Sequence, residues 1–151
     1  MSWADTRPDR VITMSRPPST NALWETGVGK GRVRTAKYSE WILSAGWDVR
    51  RQMAGTPIID CRFNVVISVP ISRRDTDNWT KPTLDLLEHV GVVSNDGNVN
   101  EVIIRPVERD DVMVGLWCLP DMGAVRKQAA ARRVSKPWRK PRAGLGWKMP
   151  A

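Results

Sequence analysis

The longest helical pattern of apolar residues lies in residues 36–53. Five side chains recur there at helical spacing, with charged residues between them: Tyr38, Trp41, Ile42, Ala45 and Val49. This pattern predicts a helix that packs by its aromatic face.

A second, shorter helix is predicted after residue 80. Leu84, Leu87 and Val90 share one helical face, and Gly91 follows as a candidate C-cap. Because Pro82 lacks a backbone N–H and restricts Lys81 towards extended geometry, we expect this helix to begin at residues 80–82, with Lys81 in its first turn.

Four segments have the patterns of strands. Residues 10–15 are short and rich in β-branched side chains, and Pro17-Pro18 follows them. In residues 59–69 the apolar side chains alternate with polar ones, as in a half-buried strand. The inward set is Cys61, Phe63, Val65, Ile67 and Val69, and the outward set is Arg62, Asn64 and Ser68.

Residues 99–107 and 112–119 predict the last two strands. The polar turn at residues 108–111 joins them, so an antiparallel hairpin is expected. The predicted fold class is therefore α+β, with a small mixed or antiparallel sheet and two main helices.

Composition limits the class of protein. A chain of 151 residues with 41% apolar side chains fits one globular domain. No apolar run is long enough for a membrane span, and the first residues lack the apolar core of a signal peptide. We expect a soluble, cytoplasmic protein without a membrane partner. Cys61 and Cys118 have neither zinc-site spacing nor a disulfide framework, which favours two reduced, buried thiols.

Positive charge is concentrated at the C-terminal end. Residues 124–151 contain nine of the 24 Lys and Arg residues and no acid, whereas residues 1–123 contain 15 basic and 16 acidic residues. We therefore divide the chain into a domain at 1–123 and a flexible basic tail at 124–151. The tail is suited to a polyanion, with Trp138 and Trp147 available for stacking, or it serves only solubility.

Three acids surround the predicted second helix. Asp75 and Asp77 stand two residues apart after a strand, and extended geometry would point both to one side. If the fold brings Asp96 back beside them, the three carboxylates make a hard-oxygen site suited to Mg²⁺ and to phosphodiester hydrolysis. Each acid also has a structural alternative, because Asp77-Asn78 is an N-cap signal and Asp96-Gly97 is a common turn dipeptide.

The segment GVGKGR at residues 27–32 is not a phosphate-binding P-loop, because Gly31 stands where the motif needs Ser or Thr. It is interpreted as a flexible basic loop that lies along phosphates. Five basic residues are the candidates for DNA contact: Lys30, Arg32, Arg34, Arg73 and Arg74.

The order R-D-x-D-N-x-x-K at residues 74–81, followed by Asp85 and the acidic turn Asn95-Asp96, resembles the RusA family of Holliday-junction resolvases. The segment PPSTNALW at 17–24 and the basic segment at 29–41 are similar to that family's opening. The resemblance covers roughly residues 10–118 and omits the tail.

The resemblance implies a small homodimeric endonuclease that uses Mg²⁺, with Mn²⁺ as a substitute, and cuts a four-way DNA junction symmetrically. It assigns metal binding to Asp75, Asp77 and Asp96 and a catalytic role to Lys81, which alternatively forms a salt bridge to Asp85. Such an enzyme would be cytoplasmic and nucleoid-associated, encoded by a bacterium, a phage or a prophage. The helix face of Trp41 or the strand at 59–69 is the candidate dimer interface.

Two classes of function remain open. One is the junction-resolving nuclease, and the other is a protein that binds branched or single-stranded DNA without cutting it. Only the nuclease accounts for three acids beside a basic DNA surface, because a binding protein would gain affinity by losing them.

Overall fold

A computed structural model describes residues 2–29 and 31–119. Lys30, the tail at 124–151 and the expected boundary at residue 123 lie outside the described residues. In chain order, the elements are β1 Arg10–Met14, β2 Trp24–Gly27, β3 Gly31–Arg34, α1 Ala36–Gln52, β4 Arg62–Pro70, α2 Asp77–His89, β5 Val99–Val107 and β6 Val112–Leu119. The α+β fold is confirmed.

The first helix agrees with its predicted bounds and buried face. Thr35 caps α1, because its hydroxyl accepts a hydrogen bond from the Tyr38 backbone N–H at 3.2 Å. The aromatic face of α1 lies in the core, with Tyr38, Trp41 and Val49 all buried. This burial rules out the Trp41 face as a dimer interface, because it already packs within its own chain.

The main sheet has four strands in the order β1-β6-β4-β5. The bounds of strands β5 and β6 were predicted correctly, but the prediction that these two strands pair as a hairpin was wrong. Strand β4 lies between them, parallel to β5 and antiparallel to β6. Helix α2 forms the crossover from β4 to β5, as a parallel pair requires.

Strand β4 is buried on both faces, which corrects the prediction of a half-buried strand. Asn64, expected to face outward, is only 3% exposed and accepts a hydrogen bond from the Asn100 amide at 3.0 Å. The N-terminal segment contributes to covering this second face, since the Trp3 ring packs edge-on against Trp117 at 5.1 Å. A central strand of this kind is not available as a dimer interface either.

Helix α2 begins three residues before the predicted start. Its first turn is anchored by Trp79, which is 2% exposed and packs into the core. Pro82 therefore lies inside the helix and leaves the Asn78 carbonyl without its helical donor. Burial of a large indole outweighs one lost backbone hydrogen bond, which explains the error in the predicted boundary.

The basic segment at residues 27–32 is not a simple loop. Strands β2 and β3 pair antiparallel, with Trp24 opposite Arg34 and Gly27 opposite Gly31. Gly29 and Gly31 both have a φ of 70°, which a side chain would disfavour. The two glycines thus allow a tight hairpin that presents Arg32 on a strand.

The two cysteines and the length of the helices test the remaining predictions from composition. Cys61 and Cys118 are free as expected, but both are half-buried and not fully buried. Burial, followed by the charge of Cys61, raises the pKa of Cys118 to about 11, so this thiol stays protonated near neutral pH. No helix within the described ranges is long and apolar enough to cross a membrane.

Candidate active site

Helix α2 carries a charged face on successive turns. Asp77, Lys81, Asp85 and Glu88 are spaced at i, i+4, i+8 and i+11, so they lie along one side of the helix. The Lys81 ammonium donates a hydrogen bond to Asp85 Oδ1 at 2.8 Å. The structural alternative for Lys81, a salt bridge to Asp85, is therefore present in the fold.

The chain returns Asp96 to this face through a compact cap. Gly91, with a φ of 80°, ends α2 in a Schellman motif: its N–H bonds to the Glu88 carbonyl, and the Val92 N–H bonds to the Leu87 carbonyl. The Asp96 backbone N–H then donates to Glu88 Oε2 at 2.8 Å. This contact fixes the turn against α2 and brings Asp96 Oδ2 within 3.9 Å of Lys81 Nζ.

Asp77, Lys81 and Asp96 line one cavity of about 460 Å³, which we call the acid cavity. The other side chains around it come from the segment before β2, from the hairpin and from α2: Thr20, Leu23, Trp24, Arg32, Thr80 and Leu84. The acid cavity therefore combines two carboxylates with two cations on a partly apolar wall. This composition can hold a phosphate beside a metal ion.

The neighbours of Lys81 keep it charged. Its hydrogen bond to Asp85 raises its pKa above the ordinary lysine value, burial opposes this shift, and the charges of Asp85, Asp96 and Glu88 add to it. Lys81 is therefore an ammonium near neutral pH, and it supplies positive charge among the acids. Asp85 also interacts with Tyr38: burial and then the Asp85 charge raise the pKa of Tyr38 to about 12.

Asp75 does not join this cavity. It is exposed in the loop before α2, and the extended geometry expected for residues 75–77 is absent because Thr76 has helical backbone angles, φ −58° and ψ −37°. Within residues 2–29 and 31–119, no three Asp, Glu, His or Cys side chains are grouped closely enough to hold a metal ion.

The proposed DNA-contacting arginines occupy different environments. Arg32 lines the acid cavity, and Arg73 is exposed in the loop before α2. The Arg34 guanidinium lies 5.8 Å from the centre of the Tyr38 ring. Arg74 is more constrained, because it donates to the Pro17 carbonyl at 2.7 Å and lies 4.3 Å above the Trp79 ring.

Comparison with known proteins gives a family. The family model described as Endodeoxyribonuclease RusA matches residues 15–116. The chain belongs to the RusA endodeoxyribonuclease family. It is also 30% identical over 76 residues to "Crossover junction endodeoxyribonuclease RusA" of Aquifex aeolicus (strain VF5), an overlap of 48% of this chain. The matched region spans 60% of that relative's length.

The acids of this RusA family member fit a divalent metal as a pair. Asp77 and Asp96 offer hard carboxylate oxygens on one cavity, and Mg²⁺ commonly takes one or two carboxylates, with waters and phosphate oxygens completing its shell. The third acid implied by the RusA resemblance, Asp75, lies outside the cavity lining. The fit therefore rests on two carboxylates.

Two polar residues near Lys81 were missed in the sequence analysis. Glu88 lies seven residues after Lys81, so the helical spacing could have placed it on the same face. Tyr38 belongs to α1, and its contact with Asp85 depends on how the two helices pack in this RusA fold. No sequence signal indicated that contact.

Proposed function

We propose that this chain is a Mg²⁺-dependent endodeoxyribonuclease that resolves four-way DNA junctions, with its reaction centre at the acid cavity. The observation that carries the proposal is that Asp77, Lys81 and Asp96, from two separate segments, line one cavity in a RusA family member. Mn²⁺ is the proposed substitute for Mg²⁺, since both favour carboxylate and water oxygens.

In this proposal Asp77 and Asp96 hold the metal ion from the cavity lining, and the exposed Asp75, which lies outside that lining, is the further ligand that the RusA resemblance implies. When bound, the ion would supply a Lewis acid for the phosphate and lower the pKa of a water molecule. The carboxylates of Asp77 and Asp96 would hold that ion and accept hydrogen bonds from water on the cavity lining.

Lys81 acts beside the phosphate. Its ammonium is held by Asp85 at 2.8 Å and lies on the lining of the acid cavity. A fixed positive charge stabilises the negative charge that develops on the phosphate oxygens as the bond to the leaving oxygen breaks. Because its pKa is raised, Lys81 keeps this charge throughout the neutral pH range.

Contacts to the DNA backbone are proposed for the basic residues around the cavity. Arg32 lies on the lining, Arg73 is exposed two residues before Asp75, and Lys30 and Arg34 are two residues from Arg32 in the sequence. The nine cations of residues 124–151 would add phosphate contacts.

Removing residues 124–151 should therefore flatten the salt dependence of junction binding, and an unchanged salt slope would refute this role.

The proposed partners are a four-way junction and a second copy of the chain, acting on DNA in the cytoplasm of a bacterium. Binding of branched DNA without cleavage is the alternative function. A nicking assay on a synthetic four-way junction separates the two, because a chain that binds the junction but never cuts it in Mg²⁺ or Mn²⁺ supports the alternative.

The sharpest test of the site is Asp77→Asn. Asp77 is exposed at the first position of α2, and Asn keeps its size, so the free energy of unfolding should change by about 1 kcal/mol or less. Loss of one carboxylate from the metal pair should lower junction cleavage by about 100-fold or more. Binding measured without divalent metal should be retained or become tighter, because a charge that repels phosphates is gone.

Asp48→Asn is the matched control. Asp48 is a carboxylate of α1 that pairs with Arg51, outside the acid cavity, and the substitution makes the same change in charge. Its cleavage rate should equal that of the wild type. A folded Asp77→Asn protein that still cleaves the junction at the wild-type rate would show that the proposed site is wrong.

A further inference from the structure

A second cavity, of about 570 Å³, is lined by residues that immediately precede Thr20 of the acid cavity. Pro17, Pro18 and Ser19 line this second cavity, whereas Thr20 lines the acid cavity. The Thr20 backbone N–H donates to Asn78 Oδ1 at 2.9 Å, which ties the shared wall to α2. The two cavities are therefore neighbours in the fold.

Three cations line the second cavity: Arg16, Lys37 and Arg74. None of them forms an ion pair with an acid of the described residues; the four pairs found there involve Arg51, Lys81 and Arg109. The one carboxylate on the lining, Glu40, is exposed. The cavity thus has an excess of positive charge that the surrounding chain does not neutralise.

The two guanidinium groups are held in place by backbone carbonyls. Arg74 donates through Nη1 to the Pro17 carbonyl at 2.7 Å, and Arg16 donates through Nε to the Asp110 carbonyl at 3.0 Å. Burial and then the charge of Arg16 lower the pKa of Arg74, so the two cations repel across the cavity. Each guanidinium still has further N–H donors, and fixed donors of this kind favour an oxyanion.

Lys37 adds a charge that does not benefit the helix. It is exposed in the first turn of α1, where the helix macrodipole disfavours a cation. The hydroxyl-bearing residues Ser19 and Ser44 also line the cavity and add neutral hydrogen-bonding groups. Cations and hydroxyls on one wall match the several oxygens of a phosphate group.

We propose that this second cavity is a phosphate site that holds the backbone of a DNA strand whose neighbouring segment enters the acid cavity. The identification of DNA as the source of the bound phosphate group rests on the function proposed above. Free inorganic phosphate offers the same chemistry, so the experiment has one arm for each source.

The DNA arm measures junction binding by the full chain without divalent metal, over 50 to 200 mM salt. Arg16→Ala with Lys37→Ala should reduce the log–log salt slope by about 0.9, the contribution of roughly one duplex phosphate. The loss of affinity relative to wild type should then be about threefold larger at 50 mM than at 200 mM salt. A variant with Arg16→Lys in place of Arg16→Ala keeps the charge at residue 16, so its salt slope should return most of the way to that of the wild type.

Arg50→Ala with Arg51→Ala is the control, because it also removes two positive charges, but from the last turn of α1 and outside the cavity. The proposal is overturned if this control changes the slope as much as the cavity variant, or if neither variant changes it. Because no cleavage is measured, a wild type without nuclease activity refutes the proposed function and leaves this test intact.

The phosphate arm measures thermal stability of the full chain against inorganic phosphate. A shift that the wild type shows and the cavity variant lacks, together with the reduced DNA slope, supports the proposal. The same loss of phosphate binding with an unchanged DNA slope overturns the DNA source and leaves a site for free phosphate.

Discussion

At the scale of single residues, Lys81 joins the two parts of the acid cavity. Its ammonium lies 2.8 Å from Asp85 and 3.9 Å from Asp96, so one cation bridges α2 and the turn before β5. The Lys81 side chain is 62% exposed, and a pair so exposed contributes little to the free energy of folding. Lys81 therefore matters for where its positive charge lies, and its hydrogen bond to Asp85 fixes that position.

Asp85→Asn tests this role of Asp85. The substitution removes the charge that raises the Lys81 pKa and leaves a neutral amide oxygen as the weaker acceptor, so that pKa should fall and Lys81 should lose its proton at a lower pH than in the wild type. Titration of the lysine side-chain signals by nuclear magnetic resonance measures this shift. Cleavage at saturating protein should fall roughly 10- to 100-fold, because a neutral amide holds the ammonium beside the phosphate less firmly than a carboxylate does.

A structural role of Asp85 would show as unfolding of the Asp85→Asn protein, and the Lys81 signal could then not report on the site. Tyr38→Phe is the second variant for that case. It removes the hydroxyl beside Asp85 and keeps the ring in the core. An unshifted Lys81 titration in a folded Asp85→Asn protein would contradict the positioning role.

The sequence predicted part of the lining of the acid cavity, whereas the roles of these residues stay predictions. Asp77, Lys81 and Asp96 were chosen from the sequence, and the fold places all three on one cavity. The extended geometry expected for residues 75–77 was wrong, and the metal-binding role of Asp75 stays a prediction. Local pattern could not show that Thr76 already has helical angles, because the early start of α2 depends on burial of Trp79 in the core.

At the scale of elements, the strand bounds were easier to predict than the strand neighbours. Strands β5 and β6 follow one another through a short polar turn, a pattern that favours a hairpin. The fold places β4 between them, and this depends on a β4-α2-β5 crossover that no local pattern encodes. The run VVISV in β4 was the available signal, since strands buried on both faces have near-continuous apolar sequences.

The cap at the end of α2 permits a test at this scale. Gly91 has a φ of 80°, and a Cβ there would meet nothing within 4 Å, so a substitution acts through backbone conformation alone. Gly91→Ala should lower the free energy of unfolding by about 1 kcal/mol. Gly91→Asn should cost less, because Asn adopts left-handed conformations more readily than Ala. Denaturant unfolding measures both.

The same cap directs the chain towards Asp96, so cleavage is a second readout for these variants. If both remain folded, the Ala variant should lose more activity than the Asn variant. Equal stability of the Gly, Ala and Asn proteins would show that the Schellman motif does not constrain this turn.

At the scale of the whole molecule, the described chain contains one acid cavity, whereas a four-way junction has two strands to cut. A two-fold pair of protomers would supply the second reaction centre in the symmetry of the substrate. Both interfaces considered from the sequence are excluded, because Trp41 and strand β4 are buried within one protomer. A dimer must therefore use other surfaces.

We expect a dimer mass in solution at micromolar concentration, and a mixing experiment tests whether both protomers act. Wild-type chains co-assembled with excess Asp77→Asn chains should form mixed dimers with one working acid cavity. Because each cavity reaches one strand, these dimers should nick the junction once and leave it unresolved. Asp48→Asn chains, mixed in the same excess, should leave paired cleavage intact. A monomeric mass together with full paired cleavage would contradict the dimer, since one cavity would then cut both strands in turn.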